Sequence, residues 1–397
     1  MAKKPKIAID ISQFANDPYA SGIQRLIWGI AKFWPATAEP LFVYSSTRAD
    51  NLRSIPAGVA AATISDLFQT SAPKSEWPAM VRATFKANSA PVGSTSQLLK
   101  RVDAWLLPEV TYSPQFLRRL DQAQRVGVTV SAVVCDAFPE THPNDYPQGP
   151  GYGDVAQYFR RLATADVTVS ISEYSDQILH RRLRRDPQLA SYVSSPGGDH
   201  VPVRHSSVPE RTQFSVVSSL EARKRHIMII NGFIESGMTD ARLVLAGRRS
   251  GTSGPILERV AAAQARGFDV EWIDSPTDDE IQRIYDRSTS VFSCGDEGYG
   301  IPVLEAIRQG CPVSYMGVQP AAEICDGVGA SRIPGDNSAA IANAMRKLGN
   351  RQSAASLREA IDTAALPNWR NYAQGVVDST LEGRRSGRVS RWRIPRS

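Results

Sequence analysis

Phe214-Ser215-Val216-Val217-Ser218, then a helical pattern over 225–237, then Arg242-Leu243-Val244-Leu245-Ala246 form the stretch that decides the fold. A β-branched run, a helix-length segment and a second apolar run in succession are the pattern of parallel strands joined by a crossover helix. The alternation continues outward. Residues 256–266 and 278–287 read as helices, and 270–273 and 290–292 as strands. Toward the N-terminus, strands are predicted at 6–11, 41–44, 104–107, 126–134 and 167–171. Helices are predicted from Ser21-Gly22 through Phe33, over 115–125 and over 155–165. The expectation is an α/β chain with two doubly wound parallel sheets, helices on both faces of each. Ligands in such sheets bind at the carboxyl ends of the strands. Residues 71–96 carry few signals of any kind.

A chain of 397 residues exceeds what one hydrophobic core of ordinary size holds. Residues 195–209, between the two alternating halves, are rich in Ser, Pro and Gly, and the break is placed there. The expected organisation is a first domain over 1–200, a second over 210–366, a helix over 367–383 and a basic tail over 384–397. Apolar residues make up 42% and charged residues 22%, the balance of a globular enzyme. No apolar run reaches the roughly 18 residues of a membrane-spanning helix. Asp10 interrupts any signal-peptide core, so a cytoplasmic setting is expected. Cys135, Cys294, Cys311 and Cys325 form no C-x-x-C pair, and the five histidines are scattered. Neither a disulfide framework nor a metal site is expected.

The formal net charge of +6 sits in the tail, where six arginines from Arg384 onward meet no acid. The remaining body is balanced, which argues against a nucleic-acid partner. That tail, with Trp392 and with Arg181-Arg182-Leu183-Arg184-Arg185 on an expected helix, suits peripheral contact with an anionic membrane surface. A solvated tail fits the same composition.

The chemistry concentrates in Glu297-Gly298-Tyr299-Gly300-Ile301-Pro302-Val303-Leu304-Glu305. Two glycines within three residues let backbone N–H groups approach a ligand. Pro302 suits the first helical position, and Glu305 is expected in the first turn. There the helix dipole favours a carboxylate, which can also accept hydrogen bonds from vicinal hydroxyls. An ordinary helix start would use the same residues. The stretch, read on as E-G-Y-G-I-P-V-L-E-A-I-R-Q-G-C-P-V, resembles the E-x7-E signature of glycosyltransferase family 4, E-G-F-G-L-P-x-L-E-A-x-A-x-G-x-P-V. Further segments agree in order. Leu220-Glu221-Ala222-Arg223-Lys224-Arg225-His226 resembles the family's E-x-R-K-N-H segment, and Ser21-Gly22-Ile23-Gln24-Arg25 its glycine turn. Ser275-Pro276-Thr277-Asp278-Asp279-Glu280-Ile281 resembles the loop beside the base pocket, and Pro367-Asn368-Trp369 the start of the closing helix.

The resemblance implies a GT-B architecture, two Rossmann-like domains facing across a cleft. It implies retaining, metal-independent transfer of a hexose from a nucleotide-diphosphate sugar to a glycan or lipid-linked acceptor. Arg223 and Lys224 would hold the diphosphate, aided by the backbone of Gly22. Glu305 would bind the ribose, while Glu297 and the backbone of Gly298, Tyr299, Gly300 and Ile301 would hold the sugar. Asp136 would serve the acceptor. No cofactor is expected. GDP-mannose is the favoured co-substrate, because the Ser21–Arg25 and 136–143 segments look most like bacterial mannosyl-type transferases of surface-polysaccharide assembly; dTDP-rhamnose or a UDP-sugar stands behind it. The chain departs from the pattern at Cys135, where the family often has His, at Ser293-Cys294 for Pro-Ser, and at Asp274 for Gly. A non-catalytic sugar-nucleotide-binding partner remains an alternative. So does a sugar-nucleotide epimerase, although no His/carboxylate cluster suggests its acid and base.

Overall fold

The computed structural model describes residues 3–19, 21–45, 51–142, 152–204, 207–364 and 366–385. The chain forms two compact units, one of residues 1–196 with 369–397, the other of residues 197–368. The division thus falls at Pro196/Gly197, inside the Ser/Pro/Gly-rich segment, and the closing helix Trp369–Arg385 belongs to the first unit.

The first unit is built on an eight-stranded sheet: β1 Lys6–Asp10, β2 Glu39–Tyr44, β3 Asn51–Ile55, β4 Ala90–Ser94, β5 Ala104–Leu107, β6 Thr129–Val134, β7 Val167–Ser170 and β8 Ala190–Val193. Their order is β4-β3-β2-β1-β5-β6-β7-β8. From β2 to β8 all neighbours run parallel. The central strands β5 and β7 are buried along their whole length, as strands covered on both faces must be. The expectation of a purely parallel sheet fails at one edge, where β3 pairs antiparallel with β2 and with β4. Both strands lack the apolar run by which parallel strands are recognised: β3 carries Asn51, Arg53 and Ser54, and β4 carries Pro91 and Gly93. β4 also lies within the stretch 71–96, which further contains the helix Trp77–Asn88. The strand predicted at 126–134 starts only at Thr129. Val126 is 64% exposed and ends the helix Pro114–Arg125, and Gly127 turns the chain at φ +78°.

The basic run at 181–185 does not lie on one helix. The helix Glu173–Arg181 ends there, and Arg184 has a positive φ of 52°. Arg185 is 3% exposed and donates to the carbonyls of Leu162, Ala163, Ala165 and Ala190. Its guanidinium is taken up by these four carbonyl groups, so it adds nothing to a surface patch. The tail from 386 lies outside the described residues; Arg384 bonds Asp103 at 2.7 Å.

The second unit is a six-stranded, wholly parallel sheet: β9 Gln213–Val217, β10 Arg242–Ala246, β11 Asp269–Ile273, β12 Ser290–Cys294, β13 Val313–Met316 and β14 Ala330–Arg332. Their order is β11-β10-β9-β12-β13-β14. The chain builds outward from β9 through β10 to β11, then returns to the other side of β9 for β12. The order therefore reverses between β9 and β12, which is where an open parallel sheet leaves a ligand crevice. The strand pairing there covers only Ser290↔Phe214 and Val291↔Ser215. Beyond those residues the carboxyl ends of the two strands part.

Candidate active site in the second unit

A depression opens where β9 and β12 part. Val216, Ser218, Ser293, Lys224, Glu297 and Pro302 are among its lining residues. Two short segments meet there. One follows β9, where Ala222–Lys224 form a single 3-10 turn. The helical pattern read over 225–237 starts at His226, and Arg225, at φ 54°, separates the turn of Arg223 and Lys224 from the helix His226–Ser236. The other segment follows β12 and leads through Gly295 to Gly300. Gly295 has φ +94°, and a Cβ built on it would lie 2.0 Å from the Arg223 carbonyl oxygen. Only a glycine lets the two turns come this close.

The contact sets the electrostatics. Arg223 donates from Nε to Glu221 at 2.9 Å and from a terminal nitrogen to the Asp296 carbonyl at 3.1 Å, and the Glu297 carboxylate stands 3.6 Å away. The Lys224 ammonium, 9% exposed, is ion-paired with Glu297. Two cations and two carboxylates thus form one cluster at the crevice. Burial pushes the Glu221 carboxyl up, but Arg223, the Ser219 hydroxyl and Lys224 outweigh it and hold the group below its ordinary value. Glu297, expected to serve a sugar, has its carboxylate on the two cations. His226 behind them is buried, and burial with help from Lys224 lowers its imidazole to about 4, against the opposing bond to the Glu221 carbonyl.

The motif helix runs from Ile301 to Arg308, with Gly300 at φ 104° as its N-cap. Tyr299 is 3% exposed, and its carbonyl accepts from Ala321 N–H at 2.9 Å. Glu305 is not in the first turn of this helix but in the second, so the dipole at the N-terminus does not account for it. Its environment does. Glu305 is 7% exposed; His200 Nε2 lies 2.7 Å from one carboxylate oxygen, and the Tyr285 hydroxyl donates to the other at 2.9 Å. A carboxylate oxygen has two lone-pair sites and can accept more than one hydrogen bond. Burial first, then Glu305, hold the Tyr285 phenol well above its ordinary range, where it stays a donor.

Several contributors escaped the sequence reading. Gly295 stands just ahead of the motif, and its role appears only once the Arg223 turn is beside it. His200 and Tyr285 are 105 and 20 residues away from Glu305. Gln319 bridges Ser293, at 2.9 Å, and the Gly295 carbonyl, at 2.6 Å. No local signal marks any of these contacts.

Gly22 and Asp136 belong to the first unit. Gly22 begins the helix Gly22–Lys32, capped by Ser21, whose hydroxyl accepts from Gln24 N–H at 3.3 Å. Asp136 follows β6, is half-buried and accepts from Phe138 N–H at 3.2 Å. Cys135 beside it is 2% exposed, and burial, then Asp136 and Glu109, push its thiol well above the usual range. Among the described residues no group of three or more His, Cys, Asp or Glu is arranged to hold a metal ion. No described helix is long and apolar enough to cross a membrane.

Residues 211–351, all within the second unit, match the family model for glycosyl transferases group 1. The serotype-specific mannosyltransferase WbdA of Escherichia coli is 22% identical over 236 residues, 53% of this chain and 29% of that protein. The chain thus matches under a third of the length of that relative. Among solved structures, sucrose-phosphate synthase from Thermosynechococcus elongatus superposes with a TM-score of 0.65 at 15% identity, covering 96% of this chain and 99% of that one. HepE from Anabaena, in complex with UDP and glucose, gives 0.60 at 12% identity, with 96% and 99% covered. The lipopolysaccharide outer core galactosyltransferase WaaB gives 0.55 at 12% identity, with 95% and 99% covered. At these identities the likeness is one of fold, the GT-B fold.

Proposed function

We propose, from the premise that residues 211–351 are a glycosyl transferases group 1 domain on a GT-B fold, that this chain is a retaining glycosyltransferase using a nucleotide-diphosphate sugar. The observation that carries the reading is the pairing of a cation turn, Arg223-Lys224, with the Glu297–Glu305 motif at the point where β9 and β12 part. Mannose is the favoured sugar and GDP-mannose the favoured donor, in line with the mannosyltransferase WbdA. The product belongs to polysaccharide assembly, and the acceptor is a glycan or a lipid-linked glycan. The UDP and glucose held by HepE keep a UDP-sugar as the next candidate.

In this reading the bond from the anomeric carbon to the diphosphate oxygen breaks, and the acceptor oxygen bonds that carbon on the same face. The acceptor's proton passes to a phosphate oxygen as the nucleoside diphosphate leaves. Charge grows on the leaving phosphate, and cations aimed at it lower the barrier. Arg223 and Lys224 fill that role with no metal required, once Glu297 exchanges its hold on them for the sugar's hydroxyls. Glu305 takes the ribose, and the motif backbone takes the sugar. Gly22 and Asp136 are assigned to the diphosphate and the acceptor. Glu305→Ala tests the core of the reading. Nucleoside diphosphate binding should weaken by about 1.5–3 kcal/mol and transfer should be lost; unchanged affinity and turnover would remove Glu305 from the site.

A sugar-nucleotide binder without turnover is the second reading. Cys135 favours it, because a buried thiol cannot replace the imidazole contact that family 4 members often have at this position. A donor-hydrolysis assay separates the two, since only the transferase releases nucleoside diphosphate into water.

A further inference from the structure

The residues just inside the second unit lie along the motif helix. Gly198 sits against it so closely that an added Cβ would be 2.7 Å from the Leu304 Cβ. Arg308 Nε donates to the Val201 carbonyl at 3.1 Å, Gln309 donates to the Pro202 carbonyl at 2.6 Å, and Arg204 N–H donates to the Arg308 carbonyl at 2.8 Å. Three hydrogen bonds and one glycine contact thus fasten a strap, residues 198–204, to the helix that carries Glu305. The strap delivers His200, its side chain 4% exposed, to the Glu305 carboxylate. Tyr285, fully buried, comes from the helix Asp278–Arg287 on the other side.

From this geometry we infer that His200 is a positioning residue for the donor's ribose. It fixes the plane of the Glu305 carboxylate that meets the two vicinal hydroxyls. The inference rests on the assignment of Glu305 to the ribose. A carboxylate on a long side chain has three torsions to order. Here a bond to each oxygen sets its plane before a ligand arrives, and preorganisation of this kind is worth affinity. The role is specific: His200 acts on the ribose hydroxyls through Glu305. Tyr285 supports the same carboxylate from the opposite oxygen.

Ribose and deoxyribose ligands give the test. Kd is measured by calorimetry for GDP and 2′-deoxy-GDP, and for UDP and 2′-deoxy-UDP, on the full chain and its variants. The wild type should prefer the ribose form of its ligand by about tenfold or more. His200→Ala should reduce that ratio to within about threefold, leaving deoxy affinity within about twofold of wild type. His200→Gln, which restores an N–H donor, should recover part of the ratio. Tyr285→Phe, which removes only a hydroxyl, should shift the ratio in the same direction even if His200→Ala fails to fold. A variant that is merely destabilised would weaken both ligands alike and leave the ratio in place. If Glu305→Ala loses the ribose preference while His200→Ala and Tyr285→Phe keep it, His200 is not a positioning residue and the inference falls alone. If Glu305→Ala keeps the preference, or if the wild type has none, the ribose assignment falls and takes the inference with it.

Discussion

Lys224 and Arg223 each have acidic partners, and this determines what their loss should do. If Arg223 and Lys224 hold the diphosphate as proposed, the donor meets a cluster of two cations and two carboxylates and not a bare positive surface. Removing Lys224 takes away one of the two cations that Glu297 faces among the described residues, so Lys224→Ala should cost more than a missing charge on the donor. If the cations act on the leaving group, Arg223→Ala and Lys224→Ala lower the turnover rate more than they weaken nucleoside diphosphate binding. Equal losses of affinity at an unchanged rate constant would assign them to uniform binding. His226, behind them, gives a pH prediction. Its folded value of about 4 lies below the unfolded value near 6.5, so the unfolded chain binds the proton more readily between the two. Stability is fully present above about pH 6.5 and is lost as pH falls toward about 4. Urea unfolding followed across that window should show a shallower acid loss for His226→Gln than for the wild type; identical slopes would mean the imidazole is already charged in the fold. At this scale the sequence was informative where residues act in one local run, as from Glu297 to Glu305. It was silent on His200 and Tyr285, because their partner lies across chain separations that no spacing encodes.

Among the elements, glycines permit several close approaches. Gly29, in the middle of the helix Gly22–Lys32, faces the ring of Trp369, and an added Cβ would lie 2.3 Å from a ring carbon. The Trp369 ring also packs edge-on against Trp28 with centroids 5.6 Å apart. Ala in mid-helix normally gains about 0.5–1 kcal/mol over Gly. Here the clash with a rigid, fully buried ring should outweigh that gain, because overpacking typically costs about 1–3 kcal/mol. Gly29→Ala should therefore lower the urea midpoint of the unfolding transition that the first unit reports; a raised midpoint would show that the closing helix yields. Gly295→Ala combines a positive φ with a clash against backbone, and it should separate the Arg223 turn from the motif and weaken nucleoside diphosphate binding. Strong apolar strands, such as β5 and β10, were legible residue for residue, and the helices read at 225–237, 256–266 and 278–287 to within a few positions, whereas Ala57–Gln69, Ser338–Gly349 and Arg351–Glu359 were not read. The antiparallel edge was not, since β3 and β4 are polar, short and interrupted by proline and glycine, and their pairing is decided by the sheet that they border. The place of Glu305 was misjudged for a related reason. The helix begins at Ile301 rather than later, and a carboxylate read as a dipole partner is instead held by tertiary contacts.

As a whole, the molecule has two doubly wound units whose sheets were read from alternation, and the proposed donor site lies where the strand order of the second sheet reverses. Its basic tail supports a separate prediction. If residues 384–397 hold the chain at an anionic surface, the full chain should sediment with anionic vesicles at low salt and a version ending at Gly383 should not; equal behaviour of the two removes the tail as an anchor. Turnover in excess EDTA should equal turnover without it, and restoration of a lost activity by Mg²⁺ or Mn²⁺ would overturn the metal-independent reading. The central claim, a nucleotide-diphosphate sugar held in the second unit, is tested most directly by thermal unfolding of wild type and Glu305→Ala in the presence of GDP, UDP or dTDP. A ligand that binds only the folded state at about 100 times its Kd adds about 2.7 kcal/mol of stability, a shift of several degrees for a unit of this size. The account predicts that at least one of the three, GDP first, raises the wild-type midpoint by that amount and that Glu305→Ala loses most of the shift. No shift with any of the three at millimolar concentration, in a wild-type protein that unfolds cooperatively, would contradict it.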